Sequence, residues 1–525
     1  MPKPRSRSRR TRRPFSYDRD FFADTDVASA MRQVARTDPL VLFIGAGVSA
    51  SRGLPQWSFL LRRLVSRGAR TVRKLTRPGR KQFVDELLEA NDPTILGSVV
   101  RRFFPSYASL WQELHKLLYT QPDAPLSLAF VHAVCRLILV RRNAGLDTLV
   151  VTTNYDDVLE HAFRDDPFVL AMGEPAGHPR VFPVFSEETM ASVKVGDLVI
   201  YHIHGFVPNQ DKPPPKHDII LSARDYGTDW PSHWTHKVLA AYWDAQWLFV
   251  GMSFHDPHIS FILAERQRHT AKNPPIGIFS LQGQPWLDLE EEARKALMQA
   301  EVARLTELGM AAQHTNYFFE DSQFLHEVCL LITKGRTTRL YDKRRQDWGK
   351  RFRQHCLHSE GSDAWKQYQD TVHGTLVGIR DEIEDLASEF AQDAGEHYKV
   401  ELWYYDHDAK GLGMLGTSHY PSYQLSRAAR FPLVSNSKIA AVAAFTRGGP
   451  HAPADEDVGP TRWRYYLGAA VRLTTDPWAG LAVGALVIAS SVERKAATVY
   501  VQRSTIEQQL ENWMELAKGL LEPPP

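Results

Sequence analysis

Four short stretches of this 525-residue chain hold residues that can do chemistry, and each stands where an apolar run ends. Gly45-Ala46-Gly47-Val48-Ser49 follows the run at 41–44, and Gly53-Leu54-Pro55 comes soon after it. Thr153-Asn154-Tyr155-Asp156 closes a run that starts at Thr148, His204-Gly205 closes residues 198–203, and Gly251-Met252-Ser253 closes a run from Trp247. A strand that breaks into a glycine turn can bring backbone N–H groups against a pyrophosphate. The first small residue permits the tight turn, the second allows close approach, and the N-terminus of the next helix adds a favourable dipole. Ala50 stands where the dinucleotide fingerprint allows a third small residue. Without a ligand, the same turn is a close-packed strand-to-helix junction.

The elements that must position these residues follow from hydrophobic periodicity. Five apolar runs, at 41–44, 148–153, 198–203, 247–251 and 276–281, alternate with helical segments. That pattern predicts an α/β fold: a Rossmann-like, mostly parallel sheet covered on both faces, with ligands beyond the carboxyl ends of its strands. Residues 58–145 read as a helical insertion forming a cap, and 164–196, rich in Pro, Gly and acidic residues, as an irregular rim loop. A different pattern begins near 367. A helix over 367–397, a strand at 400–405, a glycine-containing turn, a helix within 425–445, strands at 462–473 and 482–490 and a helix over 504–521 predict an α+β module. The expected division is a basic disordered tail over 1–25, a catalytic domain over 26–335, a linker helix over 336–374 and a regulatory or oligomerisation domain over 375–525.

Composition bounds the function. The chain is too long for one ordinary core. With 43% hydrophobic and 24% charged residues it reads as globular. No apolar run reaches the roughly 18 residues of a membrane helix and the N-terminus lacks a signal-peptide core, so a cytoplasmic protein without a membrane partner is expected. The net charge is +2, but Lys3, Arg5, Arg7, Arg9, Arg10, Arg12 and Arg13 crowd the tail, and a second basic stretch runs from Arg62 to Lys81. Either could touch nucleic acid; without interleaved aromatics both read better as solvated charge. Cys135, Cys329 and Cys356 stand far apart with no CxxC pair, which argues against disulfides and a cysteine zinc ribbon. His202 and His204 share a strand face at a spacing that could bind metal, but no third ligand is motif-linked, so no metal is expected. His255 and His258 flank Asp256 in FHDPHI, which reads as a polar strand-to-helix turn.

Taken together and in this order, the four stretches resemble the sirtuin superfamily over about residues 27–335, in particular its prokaryotic branch of NAD-consuming immune effectors. The resemblance rests on the GAG-x-S turn with Gly53-Leu54-Pro55, the N-x-D of Asn154-Tyr155-Asp156, His204 before Gly205, and Gly251-Met252-Ser253. It implies that Gly45, Ala46, Gly47, Ser49, Pro55, Thr153, Gly251 and Ser253 hold NAD as a substrate, and that Asp156 accepts from the nicotinamide carboxamide. Catalysis would fall to Asn154, Asp156 and His204. Cleaving the N-glycosidic bond passes through an oxocarbenium-like state, so ribose must be oriented and a nucleophile supplied. Asn154 suits the orientation of ribose hydroxyls or a water, and His204 suits a general base. An Asn is more often a cap, and Asp156 could equally cap the helix that follows it.

Two departures separate the chain from protein-deacylating sirtuins. Three cysteines cannot build their four-cysteine zinc ribbon, and their Pro-x-Phe-Arg is replaced by Pro55-Gln56-Trp57. Water is then the expected acceptor, giving an NAD+ hydrolase that yields nicotinamide and ADP-ribose and acts against phage by depleting NAD+. The competing activities are protein deacylation or ADP-ribosyl transfer, and the competing non-enzymatic role is an NAD or ADP-ribose sensor. Residues 375–520 resemble a GAF-type domain through RWRYYLGAAVRLTTDPWAGLAVGALVIASS. That resemblance implies a homo-oligomer gated through this module, by oligomerisation or a phage-derived activator. Trp403, Tyr405, Tyr420 and Trp463 could line a pocket there, or belong to its core.

Overall fold

The computed structural model describes residues 21–71, 77–90, 93–119, 129–166, 169–170, 179–210, 212–215, 217, 219–221, 225, 233–254, 256–269, 272–280, 289–315, 318–334, 340–356, 361–390, 396–421, 429–433, 437, 439–447, 463–473, 480–492, 497 and 503–523. The basic tail, Arg73, Lys74, His255 and most of the TDPWAG turn lie outside them.

Seven parallel strands form the first sheet: β1 (Leu40–Ile44), β2 (Thr148–Thr152), β3 (Val181–Val184), β4 (Leu198–His202), β5 (Gln246–Val250), β6 (Ile276–Ser280) and β7 (Ala311–Thr315). Their order is β3-β4-β2-β1-β5-β6-β7. β1, β5 and β6 are buried at every position, as parallel strands covered on both faces must be. Successive side chains point to opposite faces, so one strand feeds two cores. Leu40, Leu42, Ile44, Leu248 and Val250 pack with the helices Thr25–Arg36, Ala129–Asn143 and Phe318–Lys334. Val41, Phe43, Trp247 and Phe249 pack on the other side with Leu239, Ile259, Ile262 and Leu305. From β1 the chain moves to β2 on one side, and from β5 to β6 on the other. This reversal leaves a crevice beyond the carboxyl ends of β1 and β5, where open α/β sheets bind ligands.

The helical insertion differs from expectation at its end. Trp57–Gly68, Pro93–Phe103 and Tyr107–Tyr119 make a separate apolar core, which also takes in Tyr155, Val207, Ile219 and Leu221. Ala129–Asn143, by contrast, belongs to the layer on the sheet. Ten of its residues are buried, including Arg141, which bonds to the carbonyls of Val34, Thr37 and Asp147.

Within the expected irregular stretch 164–196 lies β3, parallel to β4. Its Pro183 is tolerated because β3 is an edge strand.

A second, antiparallel sheet has the order β10-β9-β8-β12-β11. Its strands are β8 (Tyr398–Asp406), β9 (Gly411–Thr417), β10 (Arg430–Pro432), β11 (Tyr465–Arg472) and β12 (Ala482–Ser490). β9 replaces the expected glycine turn. A Cβ on Gly413 would lie 2.8 Å from the Tyr404 ring and one on Gly411 2.6 Å from the Phe431 carbonyl, so these glycines serve strand packing. The expected linker is also packed: in the helix Leu340–His355, buried Trp348 donates from Nε1 to the Leu521 carbonyl. Trp403 and Tyr405 are core residues, whereas Tyr420 is exposed. The two sheets meet along Phe318–Lys334. There the Phe319 and Phe445 rings stand 5.2 Å apart, and Arg472 donates to Ser322 Oγ and Gln323 Oε1.

Candidate active site

Beyond the ends of β1 and β5 the two glycine turns lie against each other. Gly45 N–H donates to the Val250 carbonyl at 2.9 Å, and Gly47 N–H to the Gly251 carbonyl at 2.8 Å. A Cβ at Gly45 would sit 2.6 Å from the Gly251 oxygen, and one at Gly47 2.8 Å from the same atom. Gly251 has φ +66°, and a Cβ there would meet Val48 N at 2.8 Å. These glycines are therefore required by loop-on-loop packing, independently of any ligand. The contact sets the short helix Ala46–Ala50 at the crevice.

Ser49, from that helix, joins β1 to the end of β2. Its Oγ accepts from Asn154 Nδ2 at 2.8 Å and donates to Asp156 Oδ1 at 2.9 Å, while Asn154 Nδ2 also reaches the Gly45 carbonyl at 3.1 Å. Both acceptors fix the amide's orientation. Its other end, Asn154 Oδ1, is buried without a hydrogen-bond partner among the described residues. A buried acceptor left unpaired is costly, which makes it a natural place for a ligand hydroxyl or water to donate. Burial pushes the Asp156 carboxyl up to about 6, against the hydrogen bonds from Ser49 and from Val158 N–H that hold it down. Asp156 thereby also satisfies the first N–H of the helix Val158–Asp165, whose N-cap position is Asp157.

His202 is the last residue of β4 and His204 lies two residues beyond it. The strand ends between them, and their rings go to different partners. His202 Nδ1 is 3.0 Å from the Asn154 carbonyl and Nε2 is 2.8 Å from Glu160 Oε1. Burial pulls the His202 pKa down, but the Glu160 carboxylate and both hydrogen bonds raise it further, for a net rise. His202 thus supports the backbone at Asn154. His204 Nε2 lies 3.0 Å from His258 Nδ1, and His204 Nδ1 lies 3.6 Å from Asp256 Oδ2. Burial draws His204 down to about 3, so its ring is neutral. Among the described residues no group of three or more His, Cys, Asp or Glu could hold a metal.

The remaining expected residues also gather at this edge. Ala46, Gly47, Pro55, Thr153 and Gly251 are half-buried and Ser253 is exposed. Thr153 N–H reaches the Ile44 carbonyl, and Leu54 N–H reaches the Ser49 carbonyl, which returns the segment before Pro55 over the turn. His258 is the partner that sequence reasoning treated as part of a plain turn. Its only signal was Asp256-Pro257, an N-cap and first-turn pair that places His258 in the opening turn of the helix Pro257–His269.

Residues 148–304 match the SIR2-like domain. The SIR2-like stretch includes Asn154, Asp156, His204, Gly251 and His258, while the turn at Gly45–Ser49 lies before it and joins it through the pairing of β1 with β2 and β5. A mutant Sir2 homologue in complex with ADP ribose is 16% identical over 53% of this chain and 96% of that one, with a TM-score of 0.25. The GAF domain from Acinetobacter phosphoenolpyruvate-protein phosphotransferase is 11% identical over 34% of this chain and 92% of that one, with a TM-score of 0.21. No curated protein matches the sequence.

Proposed function

We propose that the protein is an NAD+ hydrolase. The observation that carries this reading is the Ser49–Asn154–Asp156 cluster with the unpaired Asn154 Oδ1, of which Asn154 and Asp156 lie in the stretch that matches the SIR2-like domain. Asn154 Oδ1 accepts from a ribose hydroxyl or the attacking water, and the amide cannot turn away because Gly45 and Ser49 hold its other end. Asp156 faces the nicotinamide carboxamide. His204 takes the proton from the reacting hydroxyl or water, and the glycine turns hold the pyrophosphate. Gly45, Ala46, Gly47, Ser49, Pro55, Thr153, Gly251 and Ser253 complete the binding surface. Water is the acceptor because three separated cysteines cannot form the ribbon that shapes an acyl-peptide groove.

The biological reading is an antiphage effector that depletes NAD+. Unchecked hydrolysis would be toxic, so the second sheet gates it, as a GAF-like module that oligomerises or receives a phage-derived trigger. Comparing nicotinamide release with and without acyl-lysine peptide separates the enzymatic readings. Release without peptide supports hydrolysis, and release that requires peptide supports deacylation.

A further inference from the structure

Among the described residues, every hydrogen-bonding group of Asn154 but one has a partner. Its N–H donates to Thr152 Oγ1 at 3.0 Å, and its Nδ2 reaches Ser49 Oγ and the Gly45 carbonyl. Its carbonyl lies 3.0 Å from Nδ1 of His202. Oδ1 is left over, and it is the atom assigned to the substrate. His202 can reach Asn154 because β4 pairs with β2 in parallel, with His202 beside Thr152. The ring therefore extends past the last paired position, to where the chain leaves the sheet. It is held on its other side too: Nε2 is 2.8 Å from Glu160 Oε1, and the Phe206 ring lies 4.4 Å away at 56°. His202 is 1% exposed and Glu160 6%, so bulk water replaces neither bond.

We infer that His202 is a positioning residue for Asn154, whose Nδ1–H clamps the Asn154 carbonyl and so holds Oδ1 at the substrate. This deepens the reading of Asn154 as the residue that orients ribose or water, and rests on it. A carbonyl only accepts, so Nδ1 must carry a hydrogen; a bare Nδ1 would set its lone pair against the oxygen. The contact to Glu160 needs a second hydrogen, and Nδ1 keeps its own whether that second one rests on nitrogen or on oxygen. The clamp closes a circuit. Ser49 binds the Asn154 amide and Asp156, and Asp156 takes the Val158 N–H. Glu160, in the first turn of the helix that Val158 opens, holds His202, and His202 returns to Asn154. Asn154 is thereby fixed through its side chain and its backbone at once. The clamped carbonyl belongs to the peptide that leads from Asn154 to Tyr155 and on to Asp156, so a turn of that peptide would displace both residues assigned to the substrate.

The test uses the full chain with NAD+ in three variants. His202→Leu removes both ring hydrogen bonds, His202→Asn returns an N–H to the place of Nδ1, and His202→Gln returns one to the place of Nε2 alone. His202→Leu and His202→Gln should each lower kcat roughly 10- to 100-fold with KM within about twofold, and His202→Asn should recover most of the loss. Urea denaturation of the same proteins separates this from lost stability. A second readout is independent of turnover: in a chain labelled with 15N-asparagine, the side-chain amide signals of Asn154 are assigned by their loss in Asn154→Ala. They should be single and slow to exchange with solvent in the wild type and in His202→Asn, and doubled or fast to exchange in His202→Leu. Wild-type kcat in His202→Leu, equal losses in His202→Asn and His202→Gln that track their stability, or an unchanged, protected Asn154 amide in His202→Leu would each overturn the positioning role. A wild type that leaves NAD+ intact defeats the hydrolase reading instead, and the Asn154 amide signals then decide the positioning role alone.

Discussion

Ser49 Oγ lies 2.8 Å from Asn154 Nδ2, and this bond ties the glycine turn after β1 to the polar end of β2. Ser49 also donates to Asp156, so one hydroxyl orients both residues assigned to the substrate. Ser49→Ala should therefore lower kcat by roughly 10- to 100-fold and cost about 1–3 kcal/mol of stability. Losing the Ser49 bond, which holds the Asp156 carboxyl down, should raise that carboxyl further. Steady-state kinetics and urea denaturation check both effects.

The crowding of the two turns makes a purely structural prediction. In Gly45→Ala the added Cβ would stand 2.5 Å from Met252 Cγ and 2.6 Å from the Gly251 carbonyl oxygen. The cost should be about 1–3 kcal/mol. Adding Met252→Ala should recover only part of it, because the backbone oxygen cannot move aside. Urea midpoints of the single and double variants measure the difference.

His202 and Glu160 form a buried pair whose removal should depend on pH. Since the folded His202 pKa is raised, the stability it contributes is fully present below its unfolded value and lost as pH rises through the folded one. Glu160→Gln should cost about 3–5 kcal/mol where the imidazole is charged. Its deficit against the wild type should shrink in alkaline buffer, as denaturation at pH 6 and pH 9 would reveal.

Asp321 gives the opposite sign. Burial pushes its carboxyl up to about 7, against the hydrogen bond from Thr315 that holds it down. An acid with a raised folded pKa binds more protons folded than unfolded. Its destabilising effect thus opens above the unfolded value near 4, grows until about pH 7 and is constant beyond. Asp321→Asn keeps an acceptor for Thr315 and should be more stable than the wild type at pH 8, with the gap closing on acidification. A series of melting curves from pH 5 to pH 8 tests this.

What could be read from sequence follows from burial. β1, β2, β4, β5 and β6 are apolar runs, buried at every position in β1, β5 and β6, so their alternation with helices announced the parallel sheet. The two edges were obscure for the same reason. β3 carries Pro183 and pairs only with β4, and β7 reads Ala311-Ala312-Gln313-His314-Thr315, in which small and polar residues take the edge position beside β6. β9 looked like a turn because its glycines suit turns, whereas Tyr404 and Phe431 require them in a strand. Among site residues, the glycine turns, Asn154, Asp156 and His204 stood out because each ends an apolar run. The contact from His204 to His258 did not, since it joins residues 54 apart across two intervening strands, and no local spacing encodes that.

The most direct measurement is incubation of the full chain with NAD+ alone over a range of protein concentrations, followed by separation of the products. The hydrolase reading predicts equimolar nicotinamide and ADP-ribose, absent in both Asn154→Ala and His204→Ala. NAD+ left intact at every concentration while calorimetry shows it bound would contradict hydrolysis and favour a sensor.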